Sequence, residues 1–388
     1  MPKPDMFRKG LVMVILGPAI SASAGDLLRG GAAIARRNAP TTQDAATSAA
    51  AESLRANARD SLARTTSTLN AIRAMQAAAR AAALSGPNNL GPDPNHPGLT
   101  LPDVPDGLTP GGLEVDPAVS TNAPLWTGAD QPVQAGSNVT ITQTDQQAVL
   151  NWRTFNVGRN TTVHFDQSAG GERVGEWIAF NKVNDPSGVP SQILGSITAP
   201  GQVYIINQNG IIFGGSSQVN VHALVASSLP INDNLIARGL LNNPDAQFLF
   251  SALPVPAGNK GTPGFTPPAP STPDGHVGDV VVQPGAQITA PTTVDHVGGR
   301  VVLVGANVQN SGTISTPDGQ TILAAGLQVG FDAHSSNDPS LRGLDVYIGA
   351  VIDASLNNYA ATATNDGLIE AFRGNVTTAG RNVDQLGG

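Results

Sequence analysis

The chain has 388 residues, enough for two or three domains and a sizeable apolar core, but only 13 % of them are charged and 4 % aromatic, while Gly (44) and Pro (30) are abundant. A formal charge of −8 hides an asymmetry: Met1 to Leu84 carries eleven Lys/Arg against five Asp/Glu, and the remainder ten against twenty-four, so the main body is acidic and no nucleic-acid partner is expected. The absence of cysteine excludes a disulfide framework, a thiolate metal centre and a cysteine nucleophile.

Residues 1–24 read as a signal peptide: a basic start (Lys3, Arg8, Lys9), an apolar stretch from Leu11 to Leu16, and small residues ending at Ala22-Ser23-Ala24. That stretch is too short to span a bilayer. Residues 25–84 form an Ala/Arg-rich segment, free of Gly and Pro from Thr41 onward, with Leu54, Leu62, Leu69, Ile72, Met75 and Leu84 mostly on one helical face. The pattern predicts an amphipathic helix docked on something. Glu52 and Asp60 interrupt its basic charge, which disfavours a membrane-surface helix. Residues 85–112 are dense in Pro and Gly and read as an extended linker.

From residue 113 onward short β-branched segments recur between Gly, Asn and Asp turns. "GSITAPGQVYIIN", "AQITAPTTVDHVGGRVVLVG", "GTISTPDGQTILAAG" and "GLIEAFRGNVTTAG" share one phrase, and Ile288 and Ile314 stand about one repeat apart. The expectation is an all-β chain wound as a parallel β-helix, with Ile197, Val203, Ile211, Val219, Ile288, Val302, Ile314 and Ile322 pointing inward in stacked rows. A β-sandwich is the alternative, although its strands would alternate more cleanly. Residues 242–276, Pro-rich around an apolar Phe248–Phe250 run, read as a loop excursion.

A search for catalysis finds little. Asp166, Glu172, Glu176, Asp185 and Asp332 are scattered rather than paired, and the six histidines show no metal-ligand spacing. No enzyme activity, cofactor or metal is expected. A β-helical polysaccharide-binding or polysaccharide-cleaving protein remains the rival reading.

Three blocks, "NWRTFNVGRNTTVHFDQ", "AFNKVNDPSGVPSQILGSI" and "VYIINQNGIIFGGSSQVNVHALVASSL", together resemble the two-partner-secretion, or haemagglutination-activity, domain of the filamentous haemagglutinin family. The resemblance runs in order over roughly residues 113 to 229, and the later repeats resemble the family's continuing β-helix. It implies a right-handed β-helix with an N-terminal cap over residues 113–388. It also implies export through an outer-membrane β-barrel transporter, a secreted or surface location in a Gram-negative bacterium, and an adhesin-type exoprotein whose further partners are surface glycans or receptors. A contact-dependent inhibition toxin is the alternative for a longer relative. The family's Asn-Pro-Asn-Gly-Ile motif falls on Asn207, Gln208, Asn209, Gly210 and Ile211, with Gln208 in place of the proline that would fix the turn's φ. Asn151, Phe155, Asn156, Val157, Gly158 and Asn181 match a supporting block, whereas the family's Asn-Pro-Asn-Leu signature has no clean counterpart. The resemblance assigns transporter recognition to the first group. A plain corner, turned by Asn and Gly, explains the same residues without it.

Overall fold

The structure, a computed structural model, describes residues 42–93, 100–117, 126–236, 247–272, 274–292, 298–333, 343–349 and 360–388. The expected signal peptide and residues 25–41 of the helical segment lie outside them. The chain divides into two units, residues 1–71 and 72–388, and the boundary falls within helix α1 (Thr42–Ser85). In the first unit Leu54 and Leu62 are exposed.

The second unit is mostly β and its sheets are chiefly parallel. One sheet has six short strands, in spatial order Ser191–Ile193, Ile211–Phe213, Val280–Val282, Val308–Asn310, Thr362–Asn365 and Asn382–Gln385, each paired in parallel with the next. The chain leaves each of the first five strands of this sheet, crosses a larger fifteen-stranded sheet, and returns one position further along. One such circuit is called a pass here. Along one row the passes stay in register: Val163, Ile197, Val219, Ile288, Ile314 and Ile369 stand opposite one another in sequence, while a bulge between Val221 and Ala223 shifts the pairing further along. Parallel strands cannot be joined by tight hairpins, so a chain of short strands with short connections has to wind back to the same edge.

Most of the expected inward row holds. Ile197, Val203, Ile211, Val219, Ile288 and Ile314 lie in one apolar column with Leu224, Val301 and Leu303. Val302 and Ile322 do not. They register with Phe180, Tyr204 and Val225 on the opposite face of the sheet and belong to a second buried cluster. The strands "RVVLVG" and "QTILAA" are apolar on both faces, so alternation alone could not assign the side.

What covers that outer face is built from two insertions between strands of successive passes. Residues 228–279 and 326–361 contribute Phe250–Ser251, Gln328–Ala333 and Leu344–Ile348, which pair antiparallel. Leu249, Phe250, Val329 and Phe331 pack there onto the outward row, and Phe250 meets Phe331 edge-on at 6.2 Å. Burial pushes the Tyr204 hydroxyl up to about 12.

The start of the winding is closed by antiparallel strands. Leu113–Val115 and Trp126–Thr127 both pair with Gln147–Phe155, while Val133–Ala135 and Asn138–Thr142 form a hairpin turned at Gly136 (φ +61°). Trp152 anchors this cap, edge-on to Trp126 at 5.1 Å and to Phe155 at 5.2 Å. The Pro/Gly-rich residues 85–112 contribute Leu90 and Leu101, which pack on Ile212 and Val281 of the six-stranded sheet, and Val104, whose N–H donates to Asn88 O at 2.8 Å. The apolar residues of α1 in this unit do not all face the sheets. Met75 (63 % exposed) and Leu84 (51 %) point to solvent, and polar side chains make the contact in their place.

Two outcomes are expected. Leu303→Ala in the column and Ile322→Ala on the outer row should each cost about 2–5 kcal/mol in denaturant unfolding, because both are buried. A silent Ile322→Ala would mean that the insertions do not cover it. The second concerns His222, whose burial, with the charge of Arg300, holds its imidazole below the ordinary 6.5. The folded state thus favours the neutral ring, and this stability is present above pH ~6.5 and lost as pH falls below it. The melting temperature should drop on acidification from pH 7.5 to 5, and His222→Gln should flatten that part of the drop.

Candidate functional site

The sequence Asn207 to Gly210 is the corner at which the chain leaves the large sheet, after Ser196–Ile206, and enters the six-stranded sheet at Ile211. Its geometry follows from its residues. Gly210 N–H donates to Asn207 O at 3.0 Å, closing a four-residue turn, and Gly210 takes φ +105°, which a side chain would strain. Asn207 Oδ1 accepts from Asn209 N–H at 3.0 Å, the local bond for which Asn is favoured in turns.

The two asparagine side chains point into the protein and are hydrogen-bonded there. Asn207 Nδ2 donates to Ser191 Oγ at 3.0 Å and Asn209 Nδ2 to Asp185 O at 2.8 Å, and each residue is 2 % exposed. Gln208 alone reaches outward, donating from Nε2 to Pro268 O at 2.9 Å, while Gly278 N–H donates to its carbonyl at 2.8 Å. The insertion thus runs over the corner. The approach is close enough that a Cβ on Gly278 would meet Asn209 O at 2.2 Å. Ile211, which completes the motif, is buried in the column.

Three of the supporting residues sit at the same strand from its other side. Asn156 Oδ1 accepts from Gln192 N–H at 2.8 Å while its Nδ2 donates to Gly111 O at 2.9 Å, and Val157 forms a parallel bridge with Ile193. Gly158 lies beneath Asp106, where a Cβ would meet Oδ1 at 2.2 Å. Ser191–Ile193 is therefore held between Asn156–Val157 and Asn207–Phe213. Asn151, Phe155 and Asn181 are elsewhere, in the seam between the cap and the first passes. Asn181 is fully buried and accepts the Trp152 indole N–H at 3.0 Å, while its Nδ2 donates to Ala179 O and Tyr204 O. Asn184 Nδ2 donates to Asn151 Oδ1 at 3.3 Å, and Phe155 packs on Trp152.

Sequence reasoning did not find Ser191, Asp185 or Gly278 as partners of the corner. Each comes from a different stretch of chain, and only the turn text "NDPSGVPS" hinted that 184–191 is shaped for an approach.

The carboxylates considered for catalysis are spread over turns and edges. Hydrogen bonding from the Ser168 side chain, and then from its main-chain N–H at 3.1 Å, holds the Asp166 carboxyl below the usual range, and Asp185 accepts from Ser187 N–H at 2.8 Å. Glu176 pairs with Arg173 in an exposed contact, and Asp332 stands opposite Asp345 in the outer sheet. Among the described residues no group of three His, Asp or Glu is placed to hold a metal, and no helix is long and apolar enough to cross a membrane.

Comparison with known proteins places these residues. Residues 118–259, which span most of the cap, the first passes and the Asn207–Gly210 corner, match the family described as the TPS secretion domain. Two heme/hemopexin-binding proteins of Haemophilus influenzae are similar, at 34 % identity over 93 residues and 36 % over 90. These stretches cover 24 % and 23 % of this chain but only 10 % and 9 % of those proteins. The crystal structure of the HMW1 secretion domain, also from Haemophilus influenzae, aligns with a TM-score of 0.46 and 24 % identity over 67 % of this chain and 56 % of that one. Over residues 118–259 the chain thus matches the TPS secretion domain, the two-partner-secretion module of the filamentous haemagglutinin type.

Proposed function

We propose that the chain is the exported partner of a two-partner secretion pair, and that its β region directs passage through a dedicated outer-membrane β-barrel transporter. The observation that carries this reading is the TPS match over residues 118–259, the stretch that holds the Asn207–Ile211 corner and the block from Asn151 to Asn181. On the same reading the winding of parallel passes is a right-handed β-helix over residues 113–388, capped at its N-terminal end. Residues 1–24 are its signal peptide, and the exported product is a surface or secreted adhesin without catalytic activity. The heme/hemopexin binding named for the relatives stays with them, because the shared stretch is about a tenth of their length.

On this reading recognition falls on the outward side of the Asn207–Gly210 corner. Asn207 and Asn209 spend their amides inside the corner, so a transporter reading this motif meets Gln208 and the main chain around it rather than the two asparagine side chains. The corner then serves export in two ways: the asparagines hold its shape, and Gln208, half-buried against Pro268, is the side chain nearest the surface.

The test is co-expression with a cognate transporter and measurement of protein released to the medium. Deleting residues 118–259 should abolish release, and unchanged release would sink the reading. Within the corner, Asn209→Asp sets a carboxylate against Asp185 O, two acceptors without a proton between them, and should destabilise the fold by about 1–3 kcal/mol as well as reduce export. Gln208→Ala should change stability by no more than about 0.5 kcal/mol and yet lower release. Normal release of Gln208→Ala would remove side-chain recognition at that position.

A further inference from the structure

The segment from Ile72 to Asn88 crosses the passes rather than joining them. Along it, side chains about one helical turn apart reach main-chain groups of different passes, at the corners that follow the strands of the six-stranded sheet. Arg80 Nη1 donates to Ser217 O at 2.9 Å and to Gly285 O at 3.3 Å. Gln76 accepts from Gly285 N–H at 2.7 Å through Oε1 and donates to Ser311 O at 2.8 Å through Nε2. Arg73 pairs with Glu370 at 2.7 Å. At the far end Arg159, beside the cap, donates to Leu84 O at 3.3 Å, to Gly86 O at 2.5 Å and to Pro87 O, so it takes up carbonyls that the end of the helix leaves free.

Two periods explain the fit. An α-helix rises about 5.4 Å per turn and paired strands lie about 4.8 Å apart, so one side chain per turn can address one pass. The corners are shaped for the approach. Gly285 has φ +92°, and a Cβ there would meet Arg80 N at 2.5 Å and its Cα at 2.7 Å; a Cβ on Gly215 would meet the Ala83 side chain at 2.9 Å. Gln76 is the clearest case, because its one amide joins two consecutive corners, at Gly285 and Ser311, by a donor and an acceptor.

We propose that Ile72–Asn88 is a completion strap, whose docking locks successive passes together and which closes fully only when the pass containing Glu370 has formed. The sequence separations support the order: Arg80 bridges 137 and 205 residues, Gln76 235 and Arg73 297, so each anchor waits for a later stretch of chain. Closing such separations is costly for an unfolded chain and cheap once the strands between are stacked. This inference concerns the folding of the chain itself and stands whether or not the export reading does.

The test uses the full chain, purified, with the double variant Gln76→Ala/Arg80→Ala. Amide exchange followed by mass spectrometry should quicken by about fivefold or more in peptides covering 280–290 and 308–315, whose strands carry no substitution, and stay unchanged at 147–155 in the cap. Loosening of α1 with unchanged exchange at 280–290 and 308–315 would show the segment to be a passenger and overturn the proposal. Should the double variant lose its β-type circular dichroism, Gln76→Ala alone is read by the same criterion. In pulse-labelled refolding of the unsubstituted chain, residues 72–85 should become protected with or after 308–315, and earlier protection of the helix would equally overturn it.

Discussion

Parallel pairing in register along each row is the constraint on which the second unit rests. A parallel ladder leaves the chain on the wrong side of the sheet after each strand, so it has to travel around and return at the same height and phase. Here it does so with Val163, Ile197, Val219, Ile288, Ile314 and Ile369 in one row, and a slip of a single residue would turn every inward aliphatic outward. The column between the sheets is chiefly aliphatic, with Trp152, Phe155, Phe165 and Phe213 among its members, and it contains no disulfide because the chain has no cysteine. Cohesion comes from apolar burial and from main-chain bonds between neighbours, which is how stacked units share stability.

Since register is set pass by pass, the corners bear the burden of specificity. The Asn207–Gly210 corner turns by its own asparagine and glycine chemistry, yet it is fixed by Ser191, Asp185 and Gly278 from other stretches of chain. The connections after Ser227 and Ala325, at the same step of later passes, are where the long insertions emerge, and these fold back over the outward row of Phe180, Tyr204, Val225, Val302 and Ile322. One position in the circuit therefore supplies a tight turn and a cover for the sheet, and its Asn207–Gly210 turn lies inside the stretch that matches the TPS secretion domain. Insertion here costs little, because a surface connection can lengthen without disturbing the pairing on either side.

The strap meets the passes on a different line, at the corners after the six-stranded sheet, and it works through polar groups. Its leucine and methionine residues do not define the contact: Met75 and Leu84 are exposed while Gln76 and Arg80 reach main-chain carbonyls. An apolar stripe was the natural reading of the helix, since hydrophobic spacing is the usual docking signal. Glycine-lined corners reverse it, because they let the helix backbone come close enough for side-chain amides and guanidinium groups to bond the main chain.

Much of the β architecture was legible in the amino-acid order. Short β-branched runs, Gly and Asn corners, and the spacing of Ile288 and Ile314 all announce stacked strands, because turn chemistry and repeat length are local properties. The Asn207–Gly210 turn was legible for the same reason, whereas the TPS domain was reached through a resemblance over roughly residues 113 to 229, and the match runs over 118–259. Other features were decided only in three dimensions. Val302 and Ile322 face outward because the insertions bury that side, and strands apolar on both faces carry no mark of which side is inner. Asn207 and Asn209 turn inward because Ser191 Oγ and Asp185 O wait there, contributed by a segment whose approach no local pattern records. The same holds for Gln76 and Gly285, 209 residues apart in the chain, whose contact exists only after the intervening passes have stacked. Local sequence specifies how each turn and strand is made, while the meeting of distant groups depends on a register that the assembled passes alone provide.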